Sequence, residues 1–592
     1  MATLRAPGLG PIVGATTDRS CRVWIRAGDP ADSGAKLDAN RRTIGLIGMV
    51  DKTNKISNAW YFRLQREYDR TGVFCLGVDV PLGEHELDVA ARRRAQPGKR
   101  IAKAAMPKTL QPDTEYTIRL ATMTLDDPLP DNENLADWQL RDRLPDIEAV
   151  QDELLSLPQE ECEATFRTSP SETKPASPLS FMLGSCRYPG LLWKVKEADR
   201  IFRPMLEHLV PGPKHDAARF TLMVGDQIYA DVLNKNIPVL RADTYEEFQE
   251  RYMTAFGAPN LRRLLRMAPT YMILDDHEIE DNWTQDRLRE DSNHLLFNVA
   301  LTAYMNYQWS HSPRTWGRLL YYTFECGGYP FFVLDTRTQR FKDDHEGLRD
   351  NHMLGRPSID PKHPGQLQRV LDWLSEQHNS KGNGPKFIVT SSVFVPNPMD
   401  ERLDPFEPPK VDDVHPQAPF PKTAADAVYD ANGKRRDASD SWPAFPNTRQ
   451  AILKHIVDNK IQNVIFLAGD IHCSNVAEIE FDGPEGKDLK AFSVTSSAFY
   501  WPFPFADGDP NGFVHDSRLR QQSDPFPILG TSTTMHYRAY GFTQEDNFSR
   551  VDIDPVKFTM AVTVFDIRGL PVETANAKGK DVTSNVVQLV QW

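Results

Sequence analysis

The sequence predicts an α/β protein in two parts: a β-sandwich over residues 1–170 and, from 178 to 592, a sheet covered on both faces by helices. Three observations lead there. Short strand-like segments separated by turns fill the first part. The stretch SPSETKPAS (169–177), rich in Ser, Pro and Thr, marks a linker. After it, apolar runs of four to six residues each end in a polar cluster, with helical stretches between them. That is the pattern of buried strands in a doubly covered sheet.

In the first part, SCRVWIRA (20–27), TGVFCLGVDV (71–80), TEYTIRLATMT (114–124) and EATFRTSP (163–170) read as strands. Val23 and Ile25 alternate with Trp24, as in a half-buried strand. Leu110–Tyr116 resembles the tyrosine corner of fibronectin-type sandwiches, in which a Tyr hydroxyl ties down a loop. Residues 145–161 predict a helical insertion entered through Asp146 as a cap.

In the second part the strands are LSFML before GSC, FTLMV before GDQIY, YMIL before DDHE, FFVL before DTR, KFIV before TSS and VIFLA before GDIH. TYEEFQERYMTAF (244–256) and GQLQRVLDWLSEQH (365–378) predict helices. In such folds ligands sit beyond the carboxyl ends of the strands, which is where the polar clusters fall. Residues 396–447, rich in Pro and Asp, read as a surface excursion over the site. That excursion and the segment 284–330 are expected to shape the pocket. VKFTMAVTVFDIRG (556–569) is expected to extend a sheet edge.

The 592 residues set a prior of roughly three or four domains, with two large α/β-type domains also fitting the length, and 40% apolar with 26% charged residues is ordinary for a chain with a sizeable core. A net charge of −13, with no basic stripe, argues against nucleic acid as a partner. Cys21, Cys75, Cys162, Cys186, Cys326 and Cys473 are widely spread and form no disulfide framework. No run approaches the ~18 apolar residues of a membrane span. The first residues carry no signal-like apolar stretch, so a cytoplasmic protein is expected, or an exported one if the chain is a mature form.

Four clusters carry chemistry: Gly184-Ser185-Cys186; Gly225-Asp226-Gln227-Ile228-Tyr229; Asp275-Asp276-His277-Glu278 with Asp281-Asn282 behind it; and Gly469-Asp470-Ile471-His472. Taken singly each has an ordinary explanation. A Gly-Asp ends many strands, a lone Cys186 fits a core, and His472 fits a structural histidine. Together, all four follow apolar strands and all offer metal-capable side chains. Close cations supply a nucleophile near neutral pH and positive charge for a phosphoryl group. Thiolate and phenolate suit trivalent iron, and carboxylates suit calcium or magnesium.

The order GD–(D/N)HE–GDxH resembles the calcineurin-like metallophosphoesterases. The variants GSC, GDQIY, DDHEIEDNW, LDTRTQR and LAGDIH resemble their PhoD-like branch, the alkaline phosphatase D family. The resemblance implies a four-layer αββα sandwich with a fibronectin-like N-terminal domain. It implies hydrolysis of phosphate mono- and diesters, small or polymeric, with Fe3+ and Ca2+. By motif, Cys186, Asp226 and Tyr229 would hold iron and Asp226 would bridge to a second site. Asp276, Asp470, His472 and, less directly, Asn282 would complete the metal set. His277, with Asp226 and Asp276, would be catalytic, stabilising phosphoryl oxygens or protonating the leaving group. Two departures stand out. Gly-Ser-Cys replaces the superfamily's first Asp-x-His, and VTSSVFVPNP (389–398) lacks its later histidine ligand.

Arg337 and Arg340 admit two readings, a phosphate clamp or ion pairs with nearby acids, and Arg449 reads as support outside the core site. Two other functions are conceivable: a non-catalytic or weakly catalytic binding protein on a phosphatase scaffold, and a cysteine nucleophile at Cys186 acting with His277 or His472.

Overall fold

The structure, a computed structural model, describes residues 3–28, 42–65, 68–77, 100–101, 110–125, 140–190, 196–213, 215–231, 241–315, 319–341, 352–360, 362–396, 441–503, 513–519 and 526–592. Two large sheets organise the second part. The first runs Thr270–Met272, Thr221–Met223, Leu179–Gly184, Asn547–Asp554, Thr559–Asp566, Asn585–Gln588. Its first three strands are parallel and the rest antiparallel. The second contains four adjacent parallel strands, Tyr329–Val333, Lys386–Val389, Val464–Ala468 and Lys490–Thr495, extended by antiparallel neighbours. The tail strand Thr559–Asp566 is not the expected edge. It is paired on both sides, because the chain returns at Asn585–Gln588 to cover it.

Side chains alternate across a strand, and here both faces are buried, which explains the continuous apolar runs. Phe181, Leu183, Leu222 and Val224 from one sheet meet Phe331, Val333, Phe387, Val389, Ile465 and Leu467 from the other. The residues between them point outward. Met182, Met223 and Met272 pack under the helices Phe202–Glu207, Tyr245–Phe256, Pro259–Leu265 and Asp291–Tyr307. Phe332, Ile388 and Phe466 pack under Gln366–Lys381 and Pro446–Asp458. The result is the four-layer αββα sandwich. Helix Tyr245–Phe256 starts on a capping box between Thr244 and Glu247. Within the segment 284–330 lie the outer-layer helix Asp291–Tyr307 and the strand Tyr322–Cys326. Most of the predicted excursion, 397–440, lies outside the described residues. Its end is buried, with Trp442 in the outer core.

The N-terminal part is a sandwich of two sheets. Leu9–Thr16, Ser20–Arg26 and Thr71–Gly77 form one. The other contains Leu4–Arg5, Glu115–Thr124, Thr43–Val50, Ile56–Arg63 and Arg100–Ile101, with Glu163–Arg167 also on Glu115–Thr124. Val13, Val23, Ile25, Ile47, Phe74, Ile118 and Leu120 fill the space between. The tyrosine corner is present: the Tyr116 hydroxyl accepts from the Gln111 amide at 2.8 Å. Ser20–Arg26 is not half-buried as expected. Trp24 on its other face enters the outer core of the second part. The insertion is two helices, Ile147–Ser156 and Gln159–Cys162, broken before Pro158 because the residue before a proline avoids helical geometry. Asp146 stands at the N-cap without making a side-chain cap bond.

Candidate metal centre

Four strands deliver the predicted clusters to one place. Leu179–Gly184 leads to Cys186, Thr221–Met223 to Asp226 and Tyr229, Thr270–Met272 to Asp276 and His277, and Val464–Ala468 to Asp470 and His472. The first three lie in one sheet and the fourth in the other, so the cluster sits where the two sheets meet at their carboxyl ends. Ligand-capable atoms of Cys186, Asp226 and His472 lie within 4.8 Å of one another. So do those of Asp226, Asp276 and His277, and those of Asp275, Asp276 and Asp470. Asp226 belongs to two of these groups, as a bridging carboxylate requires. The Cys186 thiol and the Tyr229 hydroxyl each donate to Asp226 Oδ2 at 3.4 Å, and the Tyr229 oxygen lies 3.4 Å from His472 Nε2.

The backbone is bent to make this happen. Cys186, Asp226, Asn282, Asp470 and His472 all have positive φ, from 53° to 77°. Side-chain-bearing residues rarely adopt that conformation, and such strain collects at functional sites. The glycines before the two aspartates differ in role. Gly225 has φ +108°, and a Cβ there would lie 2.4 Å from Asp275 Cβ. At Gly469 the constraint is proximity alone, with a Cβ falling 2.3 Å from Ser185 Oγ.

Electrostatics fit a cation. Burial, then the charge of Asp276, pushes the Asp226 carboxyl well above the ordinary carboxylate range. Burial and then Asp226 raise the Cys186 thiol, and the same two causes raise the Tyr229 phenol. A buried cluster of acids that resists ionising calls for positive charge, and a bound cation would reverse each of these shifts. His472 is pushed down to about 3, by burial and then by His277, so its imidazole is neutral and has a lone pair to offer. Without a cation, a thiol whose pKa is raised by burial and Asp226 is a poor nucleophile, which weighs against metal-free attack by Cys186.

His277 differs from His472 in the direction of its shift. Burial alone would lower its pKa, but Asp231, Asp276 and Asp226 outweigh it and raise the value well above normal. Its Nδ1 faces Asp231 Oδ1 at 2.6 Å, and Asp231 Oδ2 accepts from the Asp281 amide at 2.7 Å. That leaves Nε2 for chemistry. Its ring stacks on Tyr229 with centroids 4.2 Å apart.

Asn282 gives Asp276 its backbone N–H, at 2.6 Å, while its side-chain amide donates to Asp281. Arg337 is fully buried and ion-paired: its Nε donates to Asp275, and its Nη2 lies 3.4 Å from Asp470 and 3.5 Å from Asp276. The ion-pair alternative therefore describes it. Arg340 donates to the Thr336 carbonyl at 2.7 Å and to Ser392 Oγ at 2.6 Å. Arg449 stacks on Phe394 and Phe526, in the outer core.

Sequence reasoning missed Asp231, Gln308 and Trp501. Asp231 lies two residues past Tyr229 in GDQIYAD, so the motif carried its signal. Gln308 reaches Glu278 from 30 residues away, and nothing local marks it. Trp501, which stacks on His472 at 3.6 Å, sits in the aromatic run FYWPF.

A profile described as PhoD-like phosphatase matches residues 200–506 of this chain. Among curated proteins, alkaline phosphatase D of Bacillus subtilis (strain 168) is 22% identical over 273 residues, 43% of this chain and 40% of that protein. The match thus spans well under half of that relative. A solved structure of PhoD superposes with TM-score 0.56 at 15% identity, covering 94% of this chain and 86% of that one. At that identity the likeness speaks for the fold.

Proposed function

The chain belongs to the PhoD-like phosphatase family, and on that premise we propose that it is a metal-dependent phosphoesterase acting on phosphate mono- and diesters. The observation that carries this reading is the convergence of Cys186, Asp226, Asp276, Asp470 and His472 from four separate strand ends. Iron fits Cys186 and Tyr229, with Asp226 shared, because thiolate and phenolate are anionic ligands for a trivalent ion. Calcium fits Asp226, Asp276 and Asp470, whose hard oxygens suit it. When bound, such ions supply positive charge for the phosphoryl oxygens and lower the pKa of water.

The chain's own groups do the rest. Asp226 lies between the two ligand sets and holds them in register. His277, whose pKa Asp231 raises, has Nε2 left to meet the reacting group, where it can stabilise developing charge and give a proton to the leaving oxygen. Arg337 neutralises Asp275 and anchors Asp470, so that those acids stay in place. Elemental analysis of the purified protein and hydrolysis of p-nitrophenyl phosphate and bis(p-nitrophenyl) phosphate test the reading. Activity should vanish on chelation and return when iron and calcium are restored. Turnover untouched by thorough metal removal sinks it.

A further inference from the structure

We propose that the N-terminal sandwich is a positioning device for the metal centre, acting through Gln308 and Glu278. This rests on the functional reading above only for where the chemistry occurs. The sandwich grips the turn that ends helix Asp291–Tyr307 at four points. Trp24 Nε1 donates to the Asn306 carbonyl at 2.8 Å, and Arg22 Nη2 to the Ser310 carbonyl at 2.6 Å. The Tyr307 hydroxyl donates to Asp69, whose carboxylate is held two-pronged by Arg26 at 2.6 and 2.9 Å. Gly14 lies so close to His311 that a Cβ would fall 2.1 Å from the His311 oxygen.

At the middle of this gripped turn stands Gln308, fully buried. Its Nε2 donates to the Tyr252 hydroxyl at 3.1 Å and to Glu278 Oε1 at 3.2 Å. Glu278 is the anchor of the site's backbone. Its carboxylate accepts from the amides of Asp226 (3.1 Å), Gln227 (2.7 Å) and Asp275 (2.9 Å). The loop carrying Asp226 and the turn carrying Asp276 and His277 therefore hang on one side chain. That side chain is steadied by a glutamine whose own position the sandwich sets. Strained positive-φ backbone persists only when its surroundings over-determine it, and this path supplies that constraint to Asp226 from outside the sheets. Glu278 and Gln308 are positioning residues, reaching substrate through Asp226 and His277.

Amide hydrogen exchange on the full chain, read by mass spectrometry, tests the path without depending on turnover. Tyr307→Phe keeps the ring and removes one sandwich contact, whereas Gln308→Met removes the bond to Glu278. Each should speed exchange in peptides spanning 223–231 and 273–280, by about tenfold for Gln308→Met and less for Tyr307→Phe. Peptides over Lys386–Val389 and Val464–Ala468 should stay unchanged. The double variant should exchange no faster than Gln308→Met alone, because both act along one route. In hydrolysis of p-nitrophenyl phosphate, kcat should fall with KM held. Unchanged exchange at 223–231 in Gln308→Met, exchange raised equally everywhere, or additive effects in the double variant overturn the proposal. A wild-type protein that hydrolyses nothing overturns the functional reading instead, and the exchange pattern still decides this one.

Discussion

The interior between the two sheets and the cluster at their carboxyl ends are built from the same strands, a few residues apart, yet they obey opposite rules. Between the sheets, Phe181 stacks on Phe220 at 5.1 Å and Phe331 on Phe387 at 4.5 Å. Backbone, side-chain pattern and burial all agree there. Three to six residues later along the same chain, Cys186, Asp226, Asp470 and His472 take left-handed backbone and bury charge beside charge. A sequence that agrees with its fold at every level is a stability element, and one that violates local rules at a strand end has been shaped by something other than stability. The polar cluster is therefore the candidate functional site on physical grounds alone, before any likeness is considered.

The sharpest way to break this contrast is a pair of substitutions. Asp226→Asn removes the shared carboxylate, and loss of several kcal/mol of charge stabilisation corresponds to a fall on the order of 10³-fold in kcat/KM. Measured by chelator-treated thermal unfolding, the same variant should be as stable as the parent or more so, since it relieves repulsion with Asp276. Phe387→Ala should do the reverse, costing about 3–5 kcal/mol of stability while kcat per folded molecule stays near that of the parent. A stable Phe387→Ala, or an Asp226→Asn that unfolds when stripped of metal, erases the distinction.

How much of this was legible follows the same division. The strands were readable because both their faces are apolar, as at Phe331-Phe332-Val333, so periodicity was not needed. Metal-capable side chains were readable because GD, DDHE and GDIH each follow such a run. Trp24 escapes the alternation rule, which says which side a residue takes and says nothing about whether a second body covers that side. Nothing in the residues of the tail strand Thr559–Asp566 announces the later return of Asn585–Gln588 that covers its edge. The supports of the site, Gln308 to Glu278 and Arg337 to Asp275, are contacts between distant segments, and one sequence holds no local record of them.

Within the site the contrast can be sharpened by separating groups that touch substrate from groups that steady them. His277→Asn should lower kcat by about 10²–10³-fold, as expected for a general acid, with the deficit growing as the leaving group becomes more basic. Asp231→Asn leaves the imidazole and an acceptor for its Nδ1 but removes the negative charge beside it, and second-sphere losses of this kind run at about 10–100-fold. The pH profile should distinguish them. Asp231 raises the His277 pKa, so its removal should move the alkaline limb of kcat toward lower pH, whereas His277→Asn should abolish that limb. An Asp231→Asn profile that coincides with the parent would place the proton elsewhere.

The smallest effect tests the far end of the path from sandwich to site. His311 is completely buried against Gly14, and its Nε2 faces the Tyr307 carbonyl at 3.1 Å. Burial, the leading cause, pushes its pKa down to about 3 from an ordinary 6.5. The sign follows from which state binds the proton. Between pH 6.5 and about 3 the unfolded chain carries a proton on this residue and the folded chain does not, so acid favours unfolding across that window. Stability should fall by about 1.4 kcal/mol per pH unit from this one group, and it should be indifferent to His311 above pH 7. His311→Asn should flatten that part of the curve in urea titrations run from pH 6.5 down to 4.5. Because the His311 turn carries Gln308, the parent should also lose protection at 223–231 before it unfolds globally. Protection there that survives until the whole chain unfolds would mean the turn and the loop carrying Asp226 are held independently.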